Sequence, residues 1–285
     1  MVLAPASAAG AARIRRGARS LERLGFDVRV SPQAFARNGH FAGTDLRRAA
    51  ALRAALLDPL VRAIFFTRGG FGAARLLPLL ERDFSRAEPK ILVGYSDATS
   101  ILSFVAGRLG WVTFHGPMIA TDFLELRPAD RASLLGVLGG TTTKPLRLGA
   151  TIRRGVVEGR LFGGCLSILV SLLGTPYAPD LADRIVFLED VNEEPYQLDR
   201  MLTQLRQAGQ LTRARGIVFG EMANCGSRRD LLGVLAERTA DLGIPVAFGL
   251  PSGHGRGKRT VPLGTRVRLD AAGRRLELLE RAVSA

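Results

Sequence analysis

The sequence predicts an α/β fold in two domains. The N-terminal one is a mostly parallel sheet flanked by helices, and the C-terminal one is a mixed α/β domain with a β-rich closing segment. Three observations predict it. Short apolar runs alternate with amphipathic helical stripes along most of the chain. Several apolar runs empty into glycine-rich or polar turns, at Arg68-Gly69-Gly70, Tyr95-Ser96-Asp97, His115-Gly116-Pro117 and Ser252 to Gly257. The breaker-rich run Gly139 to Pro145 divides the chain into residues 1–140 and 141–285.

The first domain opens with Val2 to Ser7, the end of a strand running into a loop. Ala11 to Leu24 is predicted helical, because Ile14, Ala18, Leu21 and Leu24 recur at three- and four-residue intervals and Gly25 ends the stripe. Phe26 to Val30 alternates as a strand. Thr44 or Asp45 caps a helix to about Leu57, which Asp58-Pro59 stops. Val61 to Thr67 is a strand that opens into Arg68-Gly69-Gly70-Phe71-Gly72, with a helix following through Leu80. Ile91 to Gly94 is a buried strand, Ala98 to Leu109 a helix, and Trp111 to His115 a strand. The periodicity then weakens from Asp122 to about Arg154.

In the second domain, Gly159 to Leu173 reads as an apolar helix whose Gly163-Gly164 pair allows close packing, ended by Gly174-Thr175-Pro176. Arg184 to Leu188 is a strand that delivers Glu189 and Asp190 at its end. The following helix carries Leu198, Met201, Leu202 and Leu205 on one face and stops at Gly209. Gly216 to Gly220 is a strand, and Arg228 to Leu242 is a helix capped by Ser227. Pro245 to Leu250 is a strand, and Thr260 to Asp270 with Arg275 to Leu279 form a closing hairpin.

Composition narrows the function classes. The 285 residues carry a net charge of +14, and of the 40 basic residues only Lys90, Lys144 and Lys258 are lysine. The arginines are dispersed on faces shared with Glu and Asp, and aromatics do not interleave with them, which argues against a nucleic-acid-binding protein. No stretch approaches the apolar length of a membrane span, and the N-terminus has no secretory pattern, so a cytoplasmic protein without membrane association is expected. Cys165 and Cys225 fit reduced core thiols, and no His or Cys spacing suggests a metal or other cofactor.

Ligands of open α/β sheets bind at the carboxyl ends of the strands, which makes the turns there the places to look for chemistry. A serine between a strand and a helix N-terminus can be held at a tight, exposed bend. Gly94-Tyr95-Ser96-Asp97-Ala98 has this form but lacks the second glycine of a nucleophile elbow. Taken alone, a helix cap at Ser96 or Asp97 is the better explanation of this stretch. A nucleophilic serine needs a base, an acid to orient that base and donors for the oxyanion. Of the three histidines, His40 lies in a loop and His115 ends a strand. His254 stands between glycines that let its backbone approach a cleft closely, so it is the best base candidate. Glu189 and Asp190 fit the orienting acid, with Glu221 as the rival. Gly69-Gly70 fits an oxyanion donor, a phosphate-binding turn or a plain tight turn.

Taken together, these stretches resemble the LD-carboxypeptidase family of serine peptidases, which includes muramoyl-tetrapeptide carboxypeptidases and microcin-immunity-type peptidases. The matching segments are Thr67 to Gly72, Val93 to Asp97, Phe114 to Met118, Gly159 to Gly164, Gly174 to Tyr177, Phe187 to Gly209 and Gly253 to Gly255. The resemblance implies Ser96 as nucleophile, His254 as base, Glu189 as orienting acid and the N–H groups of Gly70 and Asp97 as the oxyanion hole. It also implies a metal-free, cytoplasmic homodimer that releases terminal D-alanine from muropeptides by cleaving an L,D-peptide bond during peptidoglycan recycling. The alternative within the family is a self-immunity amidase acting on peptidyl- or aminoacyl-nucleotide antibiotics. A cation is needed for the substrate's free carboxylate, and Arg68 is the candidate. Cys165 stands where the family often has asparagine.

Overall fold

The structure is a computed structural model that describes residues 1–141 and 144–283. Residues 142 and 143, within the run Gly139 to Pro145, lie outside the described residues. In chain order the first half contains β1 (Val2–Leu3), α1 (Ala11–Glu22), α2 (Asp45–Leu57), β2 (Ala63–Phe66), α3 (Leu77–Arg86), β3 (Ile91–Gly94), α4 (Thr99–Arg108), β4 (Thr113–His115) and α5 (Pro128–Leu138). The second half contains β5 (Leu146–Arg147), β6 (Ala150–Arg153), β7 (Val156–Cys165), α6 (Leu166–Ser171), β8 (Arg184–Val191), α7 (Pro195–Gln207), β9 (Gly216–Ala223), α8 (Arg228–Thr239), β10 (Val246–Gly253), β11 (Val261–Leu263), β12 (Arg266–Asp270) and β13 (Arg275–Leu278).

Two sheets result. The first has the order β1-β2-β3-β4-β11, parallel except for β11, which runs antiparallel to β4. The second has the order β5-β13-β12-β7-β8-β9-β10-β6. Its middle strands β7 to β10 are parallel, and antiparallel strands flank them. The α/β class predicted from the alternating pattern is the class observed.

Helix α4 explains how the sheets are joined. Its residues Thr99 to Ala106 are all buried, as in a helix packed between layers, and its buried Ser100 and Ser103 hydroxyls donate to backbone carbonyls. A Cβ on Gly164 of β7 would lie 2.6 Å from Thr99 Cγ2, so the glycine lets the strand reach the first turn of α4. The Cys165 N–H donates to Thr99 Oγ1 at 3.2 Å across the same contact. The side chains of Ile101, Leu102 and Val105 are fully buried there, each worth about 1.5–3 kcal/mol of transfer free energy.

Three sequence expectations are corrected. Gly159 to Gly164 belongs to strand β7, and only Leu166–Ser171 is helical. The reason lies in the neighbouring strand: a Cβ on Gly163 would sit 1.8 Å from the Phe187 carbonyl oxygen, so the glycine pair serves close strand approach. Thr260 to Asp270 is not one arm of a hairpin. Val261–Leu263 crosses to the first sheet and pairs with β4, and only β12 and β13 form the hairpin. Phe26 to Val30 forms no strand; a single bridge joins Val2 to Val30, while Phe26 packs edge-on against Phe65. Helix α5 and strands β5 and β6 fill the stretch where periodicity weakens.

Candidate active site

Ser96 is placed by a strand that stops abruptly. β3 ends at Gly94, where a Cβ would meet Phe66 at 2.8 Å and Ala98 at 3.2 Å. Tyr95 remains extended with φ −157°, and Ser96 then turns to φ 60° at the start of a short 3₁₀ turn that feeds α4. A β-carbon disfavours this left-handed conformation, and its use at a strand-to-helix turn is the geometry of a presented serine. Gly69 leaves room for it, since a Cβ there would lie 2.6 Å from Ser96 Oγ.

Gly70 has φ 103°, open to glycine alone at low cost. Its turn is pinned from the side: the Phe71 N–H donates to Ser7 Oγ at 3.1 Å, and that hydroxyl lies 2.5 Å from His40 Nε2. The Asp97 side chain turns away from the cleft and accepts the Ala73 N–H at 2.8 Å. Burial raises the Asp97 carboxyl to about 6, against the lowering effect of the Ala73 and Gly72 amides.

The second half supplies an acid and an imidazole. His254 Nδ1 lies 2.8 Å from Glu189 Oε2. The missing side chain of Gly253 makes the approach feasible, because a Cβ there would fall 2.4 Å from Glu189 Oε2. Glu189 is completely buried at the end of β8. The rival acids are engaged elsewhere. Asp190 accepts the Ser167 N–H at 2.7 Å at the start of α6, and Glu221 accepts the Gly257 N–H at 2.7 Å and so braces the loop beyond His254. Burial pushes both carboxyls up.

His115, at the end of β4, is 1% exposed and its Nε2 lies 3.9 Å from Glu189 Oε1. Among the described residues neither of its ring nitrogens has a hydrogen-bond partner. Burial drives its basicity well below the usual histidine range, with the nearby Lys258 ammonium adding to the effect, so the ring is neutral. Cys165 pairs in register with Glu189 across β7 and β8, and its Sγ lies 3.6 Å from Asp190 Oδ1.

Tyr95 joins the two halves. Its ring meets the His254 ring edge to face at 4.9 Å, which brings the residue before Ser96 against the imidazole that Glu189 holds. Its hydroxyl lies 3.2 Å from Asp122 Oδ1 and 3.1 Å from Lys258 Nζ. Burial, with Asp122 beside it, pushes the phenol far above its ordinary value. Sequence reasoning missed Tyr95, Asp122 and Lys258. Their one signal was position: Tyr95 precedes Ser96, and Lys258 lies four residues after His254 in the same glycine-rich loop. Arg68 flanks Gly69 and spends one N–H on the Ala8 carbonyl at 3.3 Å; it makes no hydrogen bond to Ser96, Glu189 or His254 among the described residues. No group of three or more His, Cys, Asp or Glu among the described residues is arranged to hold a metal ion.

Comparison with known proteins gives this geometry a family. Residues 1–116 match the model of the LD-carboxypeptidase N-terminal domain, and residues 158–269 match that of the LD-carboxypeptidase C-terminal domain. The chain belongs to the LD-carboxypeptidase family. Ser96 falls in the first matched segment of this LD-carboxypeptidase-family chain, and Glu189 and His254 fall in the second. A carboxypeptidase-like protein of Streptomyces coelicolor is 39% identical over 95% of this chain and 89% of its own. The murein tetrapeptide carboxypeptidase of Pseudomonas aeruginosa is 34% identical over 92% of this chain and 90% of its own. The solved structure of the self-immunity protein MccF with glutamyl sulfamoyl guanosine superposes with a TM-score of 0.88 at 25% identity, covering 99% of this chain and 96% of the other. The chain is a carboxypeptidase-type hydrolase.

Proposed function

We propose that this hydrolase is a serine LD-carboxypeptidase that releases terminal D-alanine from muropeptides, with residues 1–140 supplying the nucleophile and residues 141–285 the acid and base. The observation that carries the reading is the His254–Glu189 pair at 2.8 Å, packed against the tyrosine that precedes a serine with φ 60°. Ser96 Oγ attacks the carbonyl carbon of the L,D-peptide bond, and His254 Nε2 takes its proton. Glu189 holds the proton on Nδ1, which leaves Nε2 free to act as the base. The N–H groups of Gly70 and Asp97 receive the oxyanion. The C–N bond breaks as His254 returns the proton to the leaving D-alanine amine. Water then adds to the acyl-enzyme, again deprotonated by His254, and Ser96 is restored. Arg68, beside Gly69, receives the substrate's free carboxylate. The family resemblance supports a cytoplasmic homodimer that works in peptidoglycan recycling, and no described helix is long and apolar enough to cross a membrane.

A second reading, cleavage of a peptidyl- or aminoacyl-nucleotide antibiotic, draws on the likeness to MccF. It calls for an aromatic surface on which a nucleobase stacks. The one tryptophan, Trp111, is buried against Phe84 before β4, whereas His115 at the other end of that strand faces Glu189. Phe71, 53% exposed beside Gly70, leans on Phe41 with ring centroids 6.0 Å apart. The muropeptide reading is preferred because the murein tetrapeptide carboxypeptidase of Pseudomonas aeruginosa is 34% identical to this chain, against 25% for the MccF structure.

The test is incubation of the protein and its Ser96→Ala variant with a muramoyl tetrapeptide ending in D-alanine, followed by mass spectrometry. Release of D-alanine by the unsubstituted protein alone is expected. Turnover of an aminoacyl-nucleotide with no release of D-alanine would overturn the proposal in favour of the second reading.

A further inference from the structure

The ammonium of Lys258 sits between the residue that precedes Ser96 and the residue that precedes His254. Nζ donates to the Gly253 carbonyl at 2.7 Å and to Tyr95 Oη at 3.1 Å, and lies 3.4 Å from Asp122 Oδ1. Two of the three ammonium N–H bonds are thus spent on two parts of the chain, and the Asp122 carboxylate pairs with the charge. With two donors spent inside the protein and its charge already paired with Asp122, Lys258 is held as a structural cation. Its charge also stands 4.7 Å from the centre of the Tyr95 ring, the ring that meets His254 edge to face.

The rest of the residue is equally fixed. The side chain is 15% exposed. Its backbone N–H donates at 3.1 Å to Asp130 Oδ1 on α5, a carboxylate only 1% exposed. A loop of the second half is thus anchored on the first half at both ends of one lysine.

We propose that Lys258 is a positioning residue that locks the Tyr95–Ser96 turn to the Gly253–His254 turn, so that the imidazole meets the serine hydroxyl in register. The inference rests on the reading above that Ser96 and His254 react together. Each turn belongs to a different half, and the Ser96–His254 alignment depends on how the halves are held. An error of about 1 Å between reacting groups costs roughly 100-fold in rate.

The experiment uses three variants of the full chain. Lys258→Met keeps the stem and removes the donors, Lys258→Arg keeps a charged donor, and Tyr95→Phe removes one acceptor. Two rates are measured: covalent labelling of Ser96 by a fluorophosphonate probe, and kcat with KM on the tetrapeptide. Thermal unfolding checks that each variant is folded. Lys258→Met is expected to lose about 10- to 100-fold in labelling rate and in kcat, with KM within about twofold. Lys258→Arg should recover part of the loss. Combining Lys258→Met with Tyr95→Phe should cost no more than the worse single change, because both break one contact. A folded Lys258→Met protein with the full labelling rate overturns the proposal, as does a raised KM at unchanged kcat, which would mark a substrate-binding cation. Losses that multiply in the double variant also overturn it. If the unsubstituted protein is not labelled at Ser96, the serine mechanism fails and the positioning role falls with it.

Discussion

Two N–H groups of His254 converge on one oxygen of Glu189: Nδ1 lies 2.8 Å from Oε2, and the backbone N–H donates to the same atom at 3.0 Å. The carboxylate therefore fixes both the position of the imidazole and the tautomer that leaves Nε2 free as a base. Glu189→Gln keeps the volume but can present an N–H to Nδ1 and favour the wrong tautomer. The expected result is a fall in kcat of roughly 10³- to 10⁴-fold in a folded protein, measured by D-alanine release alongside circular dichroism. A loss of less than about tenfold would remove Glu189 from the mechanism.

Gly69 is expected to matter for rate more than for stability. A Cβ there would lie 2.6 Å from Ser96 Oγ and 2.7 Å from Ser96 Cβ, so Gly69→Ala must push the serine out of place. The variant should fall roughly 100-fold in labelling by a fluorophosphonate while unfolding within a few degrees of the unsubstituted protein. Gly163→Ala should behave the other way. Its Cβ would lie 1.8 Å from the backbone oxygen of Phe187 at φ 145°, and neither strand can yield without losing the ladder. A loss of about 3 kcal/mol or more is expected in denaturant unfolding.

What the sequence made legible follows from how local each signal is. The Ser96 turn is written within five residues, apolar strand to Tyr-Ser-Asp to helix, and it reads correctly. The glycines around His254 announce a close backbone approach. That approach is to Glu189 on one side and, through Gly255, to Glu221 on the other, where a Cβ would fall 2.3 Å from the carboxylate. Glycine has two uses, though: the local pattern of Gly163-Gly164 predicts helix packing, whereas the pair serves strand approach, because the deciding neighbour, Phe187, is distant in sequence. The crossing of β11 to the first sheet is likewise set by a partner strand, β4, more than a hundred residues away. Lys258 illustrates the same limit. Its two acceptors and its ion-pair partner come from residues 95, 253 and 122, and no local pattern brings them together.

His115 should make the fold sensitive to acid. Burial holds its folded-state basicity well below 6.5, so the folded protein keeps the ring neutral while the unfolded chain takes up a proton as pH falls below about 6.5. The unfolded state then binds more protons, and stability falls with falling pH across that window. His115→Gln cannot take up this proton. Its unfolding free energy, measured by urea titration between pH 8 and about pH 5, should decline less than that of the unsubstituted protein. Parallel declines would show that another group carries the acid sensitivity.

Asp97 acts in the opposite direction over a neighbouring window. Burial raises its folded-state value to about 6 from 3.8, so the folded protein holds the proton more tightly than the unfolded chain between those limits. Its contribution to stability is present below about pH 4 and is lost as pH rises through about 6, because the carboxylate must then be carried in a site where the Ala73 and Gly72 amides only partly replace water. Asp97→Asn removes the charge and retains one acceptor. Any fixed cost of the lost hydrogen bond is the same at every pH, so the difference between the two proteins isolates the titration. That difference should move in favour of the asparagine variant by up to about 3 kcal/mol between pH 4 and pH 7, read from paired urea denaturation curves. A difference that stays flat across this range would mean that Asp97 is ionised in the folded protein throughout. The turn carrying the Asp97 amide would then be held by a charged carboxylate at every pH measured.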